Sequence, residues 1–275
     1  MVESYDPQSK TTEITIHQAR AIESPSEFSA AVSIIIPFHG QYELCTKLIE
    51  SIFRFTKSNY YELCLVDDAS PNTEYIEQLE AAFKKRPSSI VQTKCIRCKT
   101  QVGFGAAAEI GFNSTENPYV LVVNSDCEVE DVNWLRSLGE SLLNLKKSNV
   151  RMVAPRTNNP VNGSLLQKAD KLQKGSDIVL PKEEHLSMYC FMTHRELFKR
   201  IGGFIKPYPY GYYEDEEFAY RLRKHGYEQG VSGKSWIYHE GEATFRALLQ
   251  KNSQIQSVLD ENYERCVKDM AITSR

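Results

Sequence analysis

Four groups of residues have the types and spacings from which chemistry is made. Asn124-Ser125-Asp126 closes the apolar run YVLVV, and on an extended segment residues i and i+2 point the same way. Asn124 and Asp126 can therefore reach one hard cation, which prefers oxygen ligands; the same residue types also make ordinary turns. Asp67-Asp68 follows a second apolar run, YELCLV, and suits a metal pair, an acceptor for a nucleotide base, or a turn that caps a helix. Glu214-Asp215-Glu216-Glu217 gathers four carboxylates at a helix start. The helix dipole favours acids there, and a carboxylate held beside a substrate hydroxyl would be a general base. The preceding Tyr208, Tyr210, Tyr212 and Tyr213 offer flat faces for a sugar ring and surroundings that raise a carboxyl pKa. His239, closing SWIYH, is a metal ligand by type and equally a structural histidine by position. Gly103 and Gly105 in QVGFGAAAEIG suit a loop around phosphate, but they give neither GxGxxG nor a P-loop, and close helix packing explains them as well.

These groups need elements to position them. VSIII (32–36), YELCLV (61–66), SIVQTKCI (89–96) and YVLVV (119–123) read as buried strands, the first closed by Pro37 and Gly40. Between and after them come helices over 41–56 (Leu44, Leu48, Ile52 and Phe55 on one face), from Pro71 to about Phe83 with Ser70 as cap, over 102–114, and over 132–145. This alternation predicts βαβ units and a mainly parallel, Rossmann-like sheet flanked by helices. Right-handed crossovers then gather the loops at the carboxyl ends of the strands, where Asp67, Asp68, Asn124 and Asp126 all fall.

The second half is less regular. MVAP (152–155) is a short strand, 156–186 a polar excursion with Asn-Asn-Pro and Asn-Gly turn signals, and LSMYCFMT (186–193) a strand. RELFKRI is a helix closed by Gly202-Gly203, and a helix over EDEEFAYRLRKHGYE stops at Gly226. Residues 244–270 form an amphipathic helix with a stripe of Phe245, Leu248, Ile255, Leu259, Cys266 and Met270. Packing in cis buries that stripe, and a homodimer is the alternative; Asp260, Glu261, Glu264 and Lys268 interrupt a clean heptad seam and favour the first. The expected organisation is a tail (1–30, with TEITIH as an edge strand), one α/β domain (31–243, its halves meeting near 130) and the C-terminal helix (244–275).

Composition narrows the classes. The chain has 275 residues, 41% of them hydrophobic, which suffices for a large core. A net charge of −3 gives no basic footprint for nucleic acid. No apolar run approaches the roughly 20 residues of a membrane span, and no secretory leader is visible, so a cytoplasmic protein, at most peripheral at a membrane, is expected. Cys95 and Cys98 form one CxxC with no partner pair at zinc-finger spacing, which reads as reduced thiols.

In order, the chain reads VSIIIPFHGQYELCTKLIESI, VDDAS, QVGFGAAAEIGF, YVLVVNSDCEV, FMTHRELFKRIGGF, YYEDEEFAYRLRKHGY and YHEG. Across residues 31–241 this resembles the family 2 glycosyltransferases of GT-A fold. The resemblance implies a single GT-A domain that inverts the anomeric centre, with 31–130 as nucleotide-binding half and 131–243 as acceptor half. It implies that VDDAS binds the nucleotide, with Asp67 toward the base. NSD stands where the family's DxD motif holds Mn²⁺ or Mg²⁺ on the donor diphosphate, Asp126 and His239 being the metal ligands. Asp215 matches the catalytic base, and Pro37, Asp67, Asp68, Gly103, Asn124 and Ser125 become the donor-binding residues. The partners implied are a UDP-, GDP- or dTDP-sugar and a glycan, lipid-linked or protein-linked acceptor. Three positions depart from the pattern: Asn124 replaces the first acid, as in relatives that look like rhamnosyltransferases, and Gln101 and Glu109 stand where the family often has Asn.

Three rivals make different demands. A sugar nucleotidyltransferase wants a Gly-rich basic loop after the first strand, where HGQYEL has one Gly and no cation before Lys47. A receiver-type module wants a Lys-Pro after a late apolar strand, and the only one, Lys206-Pro207, follows GGFI. An inactive family member acting as a binding partner would have no need of Asp126, Asp215 and His239 together.

Overall fold

Strands rich in β-branched residues and buried on both faces form the centre of the molecule, as expected for a parallel sheet covered by helices. The computed structural model describes residues 3–5, 28–56, 60–71, 75–84, 90–204, 208–209, 211–241 and 255–273. The first half contains β1 (Glu3–Tyr5), β2 (Val32–Phe38), α1 (Tyr42–Phe55), β3 (Tyr61–Asp67), α2 (Tyr75–Lys84), β4 (Ile90–Cys98), α3 (Phe104–Asn113), β5 (Tyr119–Val123) and β6 (Cys127–Glu128). Then follow α4 (Trp134–Asn144), β7 (Val150–Arg156), β8 (Ile178–Val179), β9 (Cys190–His194), α5 (Arg195–Ile201), α6 (Glu214–Lys224), β10 (Glu228–Trp236), β11 (Tyr238–His239) and α7 (Ile255–Thr273).

Among the described residues, nine strands make one sheet in the order β1-β4-β3-β2-β5-β9-β7-β10-β8. The run from β1 to β5 is parallel, whereas β9 is antiparallel to both its neighbours and β8 to β10. The period of two is visible in β2: Ile34 and Ile36 pack with Leu48 and Ile52 of α1 and Trp134 of α4, while Ile35 faces Ala107 of α3 and Phe198 of α5. A separate two-stranded sheet joins β6 to β11, with His239 opposite Cys127.

Several elements differ from the expectation. Strand β2 runs through Pro37 to Phe38. Phe38 O accepts from Asp68 N on the β3 side (2.8 Å), so Pro37 turns its nitrogen the other way, where pairing with β5 has ended at Ile35 and no donor is missed. Pro71 is a bend and not helical, helix α2 is described from Tyr75, and residues 72–74 lie outside the described ones. Strand β9 starts at Cys190, leaving Leu186–Tyr189 as the loop that enters it. TEITIH lies outside the described residues; the strand that edges the sheet there is β1, parallel to β4. Strand β10 (EQGVSGKSW) has no apolar alternation to reveal it. A Cβ at Gly230 would lie 2.9 Å from the Ile178 carbonyl, and one at Gly233 would lie 2.1 Å from that of Gly175, so close backbone approach selects small residues. Helix α7 packs against α6, with Ile255, Leu259 and Cys266 buried within the chain; Phe245 and Leu248 of the expected stripe lie outside the described residues.

Helix α3 lies close on the sheet because Gly111 lets it: a Cβ there would meet Ile35 Cγ2 at 2.4 Å and Val66 Cγ2 at 3.2 Å. Gly111→Ala is expected to destabilise the fold by about 1–3 kcal/mol through overpacking. A lowered midpoint of urea unfolding checks this, and an unchanged midpoint would contradict the packing.

Candidate active site

The parallel strands β2, β3 and β5 end side by side, and their carboxyl ends open into a cleft of about 500 Å³. It is lined by Pro37, His39 and Asp68 at the ends of β2 and β3, by Asn124, Ser125 and Asp126 after β5, and by Glu214 and Asp215 at the start of α6. His239 and Gly103 also line it, so of the nine residues that the family resemblance marks for donor, metal or base, all but Asp67 meet in one space.

After β5, β6–β11 pairing brings residue 239 beside residue 126, and Glu240 N donates to Asp126 O (3.0 Å). Asn158 clamps the histidine backbone from both sides, its Oδ1 accepting from His239 N (2.9 Å) and its Nδ2 donating to His239 O (3.0 Å). His239 Nδ1 lies 2.7 Å from the Asn159 carbonyl, and a carbonyl only accepts, so Nδ1 carries the proton. The lone pair is thereby on Nε2, which faces Asp126 Oδ1 at 3.4 Å. Two electron-rich atoms at that distance need a proton or a cation between them, and a backbone carbonyl on Nδ1 is the usual outer support of a metal-bound histidine. Asn124 Oδ1 is a buried acceptor without a hydrogen-bond partner at the same strand end. The donor set of one carboxylate, one imidazole and one amide oxygen therefore fits a divalent ion such as Mn²⁺. Cys127 lies within the same cluster, but burial pushes its thiol well up, and Sγ points to the Tyr189 carbonyl (3.7 Å), which removes it as a ligand. The Tyr189 ring stacks on the imidazole, 4.8 Å between centroids.

Asp67 is the one selected residue that the structure does not bring to the cleft. It is fully buried, and its carboxylate accepts from Tyr75 Oη, Arg97 Nη1 and Ser70 N, which leaves nothing to face a base. Asp68 reaches the cleft, but its oxygens already accept from Val102 N (2.6 Å) and Gly103 N (2.9 Å). The Gly103 amide is thus occupied and is no phosphate donor; the loop 101–103 is tied down, with Gly103 at φ 89° where a side chain would be strained. Burial raises the Asp68 pKa, against these two amide bonds that lower it. His39, in the lining of the cleft, donates from Nδ1 to the Asp68 carbonyl (2.6 Å) and keeps Nε2 as an acceptor.

The entry to α6 begins with strained backbone. Tyr212 (φ 71°) and Tyr213 (φ 72°) are left-handed non-glycine residues immediately before Glu214, and both line the cleft. Tyr208 is instead buried, and Tyr210 lies outside the described residues. Helix α7 holds this entry: the buried Asn262 donates to Pro209 O and Gly211 O (both 3.0 Å), and Tyr263 packs on the Tyr213 ring. Burial, then the neighbouring Asp215 charge, pushes Glu214 up to about 8; its Oε2 is buried without a hydrogen-bond partner. Burial also raises Asp215, with His185 opposing the rise. Glu217 serves the fold: it bridges Arg221 at 2.5 Å, and Arg221 donates to the Ile201 and Gly203 carbonyls.

Sequence reasoning missed His39, Tyr189, Asn158 and Asn159. His39 follows a strand that ends in the cleft, a position that could have marked it. The Asn-Asn-Pro run was legible only as a turn, because its task is set by His239, some 80 residues away.

The Glycosyl transferase family 2 profile matches residues 33–202, well over half of the chain, and the chain belongs to that family. Solved structures share the fold. GalNAc-T7 with UDP, GalNAc and Mn²⁺ has a TM-score of 0.61 at 19% identity, covering 78% of this chain and 44% of that one. Mannosyltransferase PcManGT from Pyrobaculum calidifontis, in complex with GDP-Man and Mn²⁺, has a TM-score of 0.59 at 16% identity, covering 80% of this chain and 60% of that one. S. aureus TarS 1–349 in complex with UDP-GlcNAc has a TM-score of 0.54 at 18% identity, covering 76% and 58%. The fold is therefore GT-A, and the chain spans roughly half of the length of these relatives. No curated protein gives a significant match.

Because Glu214 holds its proton to higher pH folded than unfolded, the folded state binds the extra proton between its ordinary value of 4.5 and about 8. Its contribution to stability is full below that window and is lost as pH rises through it. Glu214→Gln is expected to flatten the fall in stability between about pH 5 and pH 8. Urea unfolding across that range checks it; an unaltered slope would mean that Glu214 ionises normally.

Proposed function

We propose that the protein is an inverting glycosyltransferase that moves a sugar from a nucleoside-diphosphate sugar to an acceptor hydroxyl, in glycan or polysaccharide synthesis. The observation that carries this is the apposition of Asp126 Oδ1 and His239 Nε2 across 3.4 Å, in one cleft with Glu214 and Asp215. Asp126 and His239, with Asn124 beside them, would hold Mn²⁺ or Mg²⁺, which supplies Lewis-acid neutralisation of the departing diphosphate. Pro37, Asn124 and Ser125 line the donor side together with His39. Asp67 and Asp68 act there through the loops they tie. The nucleoside is uridine, guanosine or deoxythymidine, and the sugar a hexose or, as the NSD variant suggests, rhamnose.

Asp215 is the base. Burial and mutual repulsion favour a single proton on the Glu214–Asp215 pair. Glu214, raised to about 8, is the acid of the pair, and the positive end of α6 together with His185 favours the carboxylate form of Asp215 against the burial that raises it. Asp215 then takes the proton of the acceptor hydroxyl as its oxygen attacks the anomeric carbon, and no enzyme nucleophile is needed. Tyr212 and Tyr213 flank the acceptor, as do Val161 and Asn162 from the excursion after β7. Among the described residues no helix is long and apolar enough to cross a membrane. We place the protein in the cytoplasm, at most peripheral at a membrane, with a glycan, lipid-linked or protein-linked acceptor.

A panel of UDP-, GDP- and dTDP-sugars with Mn²⁺ tests the reading through the melting temperature, which a true donor raises. With that donor, Asp215→Asn is expected to keep metal-dependent binding while transfer falls at least about 100-fold. Glu217→Gln is expected to cost stability and little transfer. Near wild-type transfer by Asp215→Asn would move the base to Glu214, and the absence of any shift across the panel would refute the donor class.

A further inference from the structure

The excursion between β7 and β9 reverses the usual burial order. Gln167 is completely buried, whereas Leu165 is 75% and Leu172 90% exposed, with Leu166 also exposed. This is a fixed arrangement. The Gln167 side chain accepts from Ser187 N (2.8 Å) and donates to Ser187 O (3.2 Å), and its carbonyl accepts from Thr157 N (2.8 Å). Ala169 N donates to Thr157 O (2.9 Å), and Trp236 Nε1 donates to the Ala169 carbonyl (2.9 Å). Polar groups thus anchor the segment from beneath while its leucines stand in water, where an ordinary surface loop would place polar residues.

Lysines accompany those leucines. SLLQKADKLQKGS (164–176) contains three lysines and one aspartate in a chain of net charge −3. Lys168, Lys171 and Lys174 are exposed, each within two residues of an exposed leucine. Leu172 borders a shallow groove with the exposed Val132 and with Lys234; Glu130 and Asp131 also line it, and Lys171 bridges Glu130 at 2.8 Å. A protein partner is a poor match, because lysine is depleted at the core of protein interfaces. Single leucines separated by lysines match a lipid surface: the leucines enter the acyl boundary, and the ammonium groups reach anionic headgroups on flexible stems.

We propose that residues 165–174 dock the protein on an anionic membrane surface. Ser187, which anchors Gln167, also lines the cleft, so the docked face lies one strap from the acceptor side. The consequence that the acceptor is membrane-borne rests on the glycosyltransferase reading; the docking itself does not, since vesicle binding involves no sugar transfer.

Co-sedimentation with vesicles of phosphatidylcholine alone, and of phosphatidylcholine with one-third phosphatidylserine, tests the docking on the full chain. Wild type is expected to sediment with the anionic vesicles only, and less as salt is raised. A combined Leu165→Ser, Leu172→Ser variant is expected to stay in solution with an unchanged melting temperature, since those side chains, 75% and 90% exposed, pack on little. Should that variant unfold, Lys168→Gln with Lys174→Gln carries the test, with an expected loss of about fivefold in partitioning per lysine. Absence of wild-type binding to anionic vesicles, or binding that the leucine or lysine variants retain, would overturn the proposal. So would a protein dimer that the leucine variant dissociates while vesicle binding is absent.

Discussion

The hydrogen bond from His239 Nδ1 to the Asn159 carbonyl determines what the cleft can hold. It places the proton of a neutral imidazole away from the cleft, so that Nε2 offers its lone pair toward Asp126 Oδ1. Turned round, the same ring would simply donate to the carboxylate and close the site as a neutral hydrogen bond. The rest of the fold serves this arrangement. The β6–β11 pairing sets the distance, Asn158 fixes the histidine backbone, and Tyr189 fixes the ring plane by stacking. The parallel run of β3, β2 and β5 then sets the NSD segment beside the strand ends that line the cleft.

The entry to α6 is built on strain. Two left-handed tyrosines cost about 1–3 kcal/mol each, and such a turn persists only where its surroundings over-determine it. Asn262 of α7 supplies two hydrogen bonds to the carbonyls just before it, each worth about 1 kcal/mol net, and Tyr263 packs on Tyr213. The result is that Glu214 and Asp215 enter α6 side by side on the lining of the cleft, the first buried and the second half-buried. Crowding two carboxyls there raises both, Glu214 to about 8, through burial and then the neighbouring Asp215 charge. The C-terminal helix is therefore a brace for the turn that leads into Glu214 and Asp215 as well as a cover for its own apolar stripe.

Where physics acts locally, the sequence is readable. The buried strands β2, β3 and β5, the half-buried β4, the amphipathic α1 and α4, and the acids at strand ends follow from period and position alone. What is not readable depends on distant contacts. Strand β10 hides because Gly230 and Gly233 serve close backbone approach, which leaves no alternation. Asp67 and Asp68 look equivalent in sequence, yet Arg97 and Tyr75 claim the first while the second ties a loop. Asn158 and Asn159 read as turn formers because nothing local shows that residue 239 needs a clamp. The motif order carried the family assignment, and the profile match over residues 33–202 bears that part out.

The central claim is that Asp126 and His239 share a divalent ion with a nucleoside diphosphate. Calorimetric titration of UDP, GDP and dTDP with and without Mn²⁺, on wild type and His239→Ala, tests it most directly. The account predicts that one nucleotide binds wild type with Mn²⁺, that chelation abolishes the heat, and that His239→Ala weakens binding about 10-fold or more, a loss typical of disturbed metal sites. Nucleotide binding that is equally tight without metal, or that His239→Ala leaves unchanged, would contradict it.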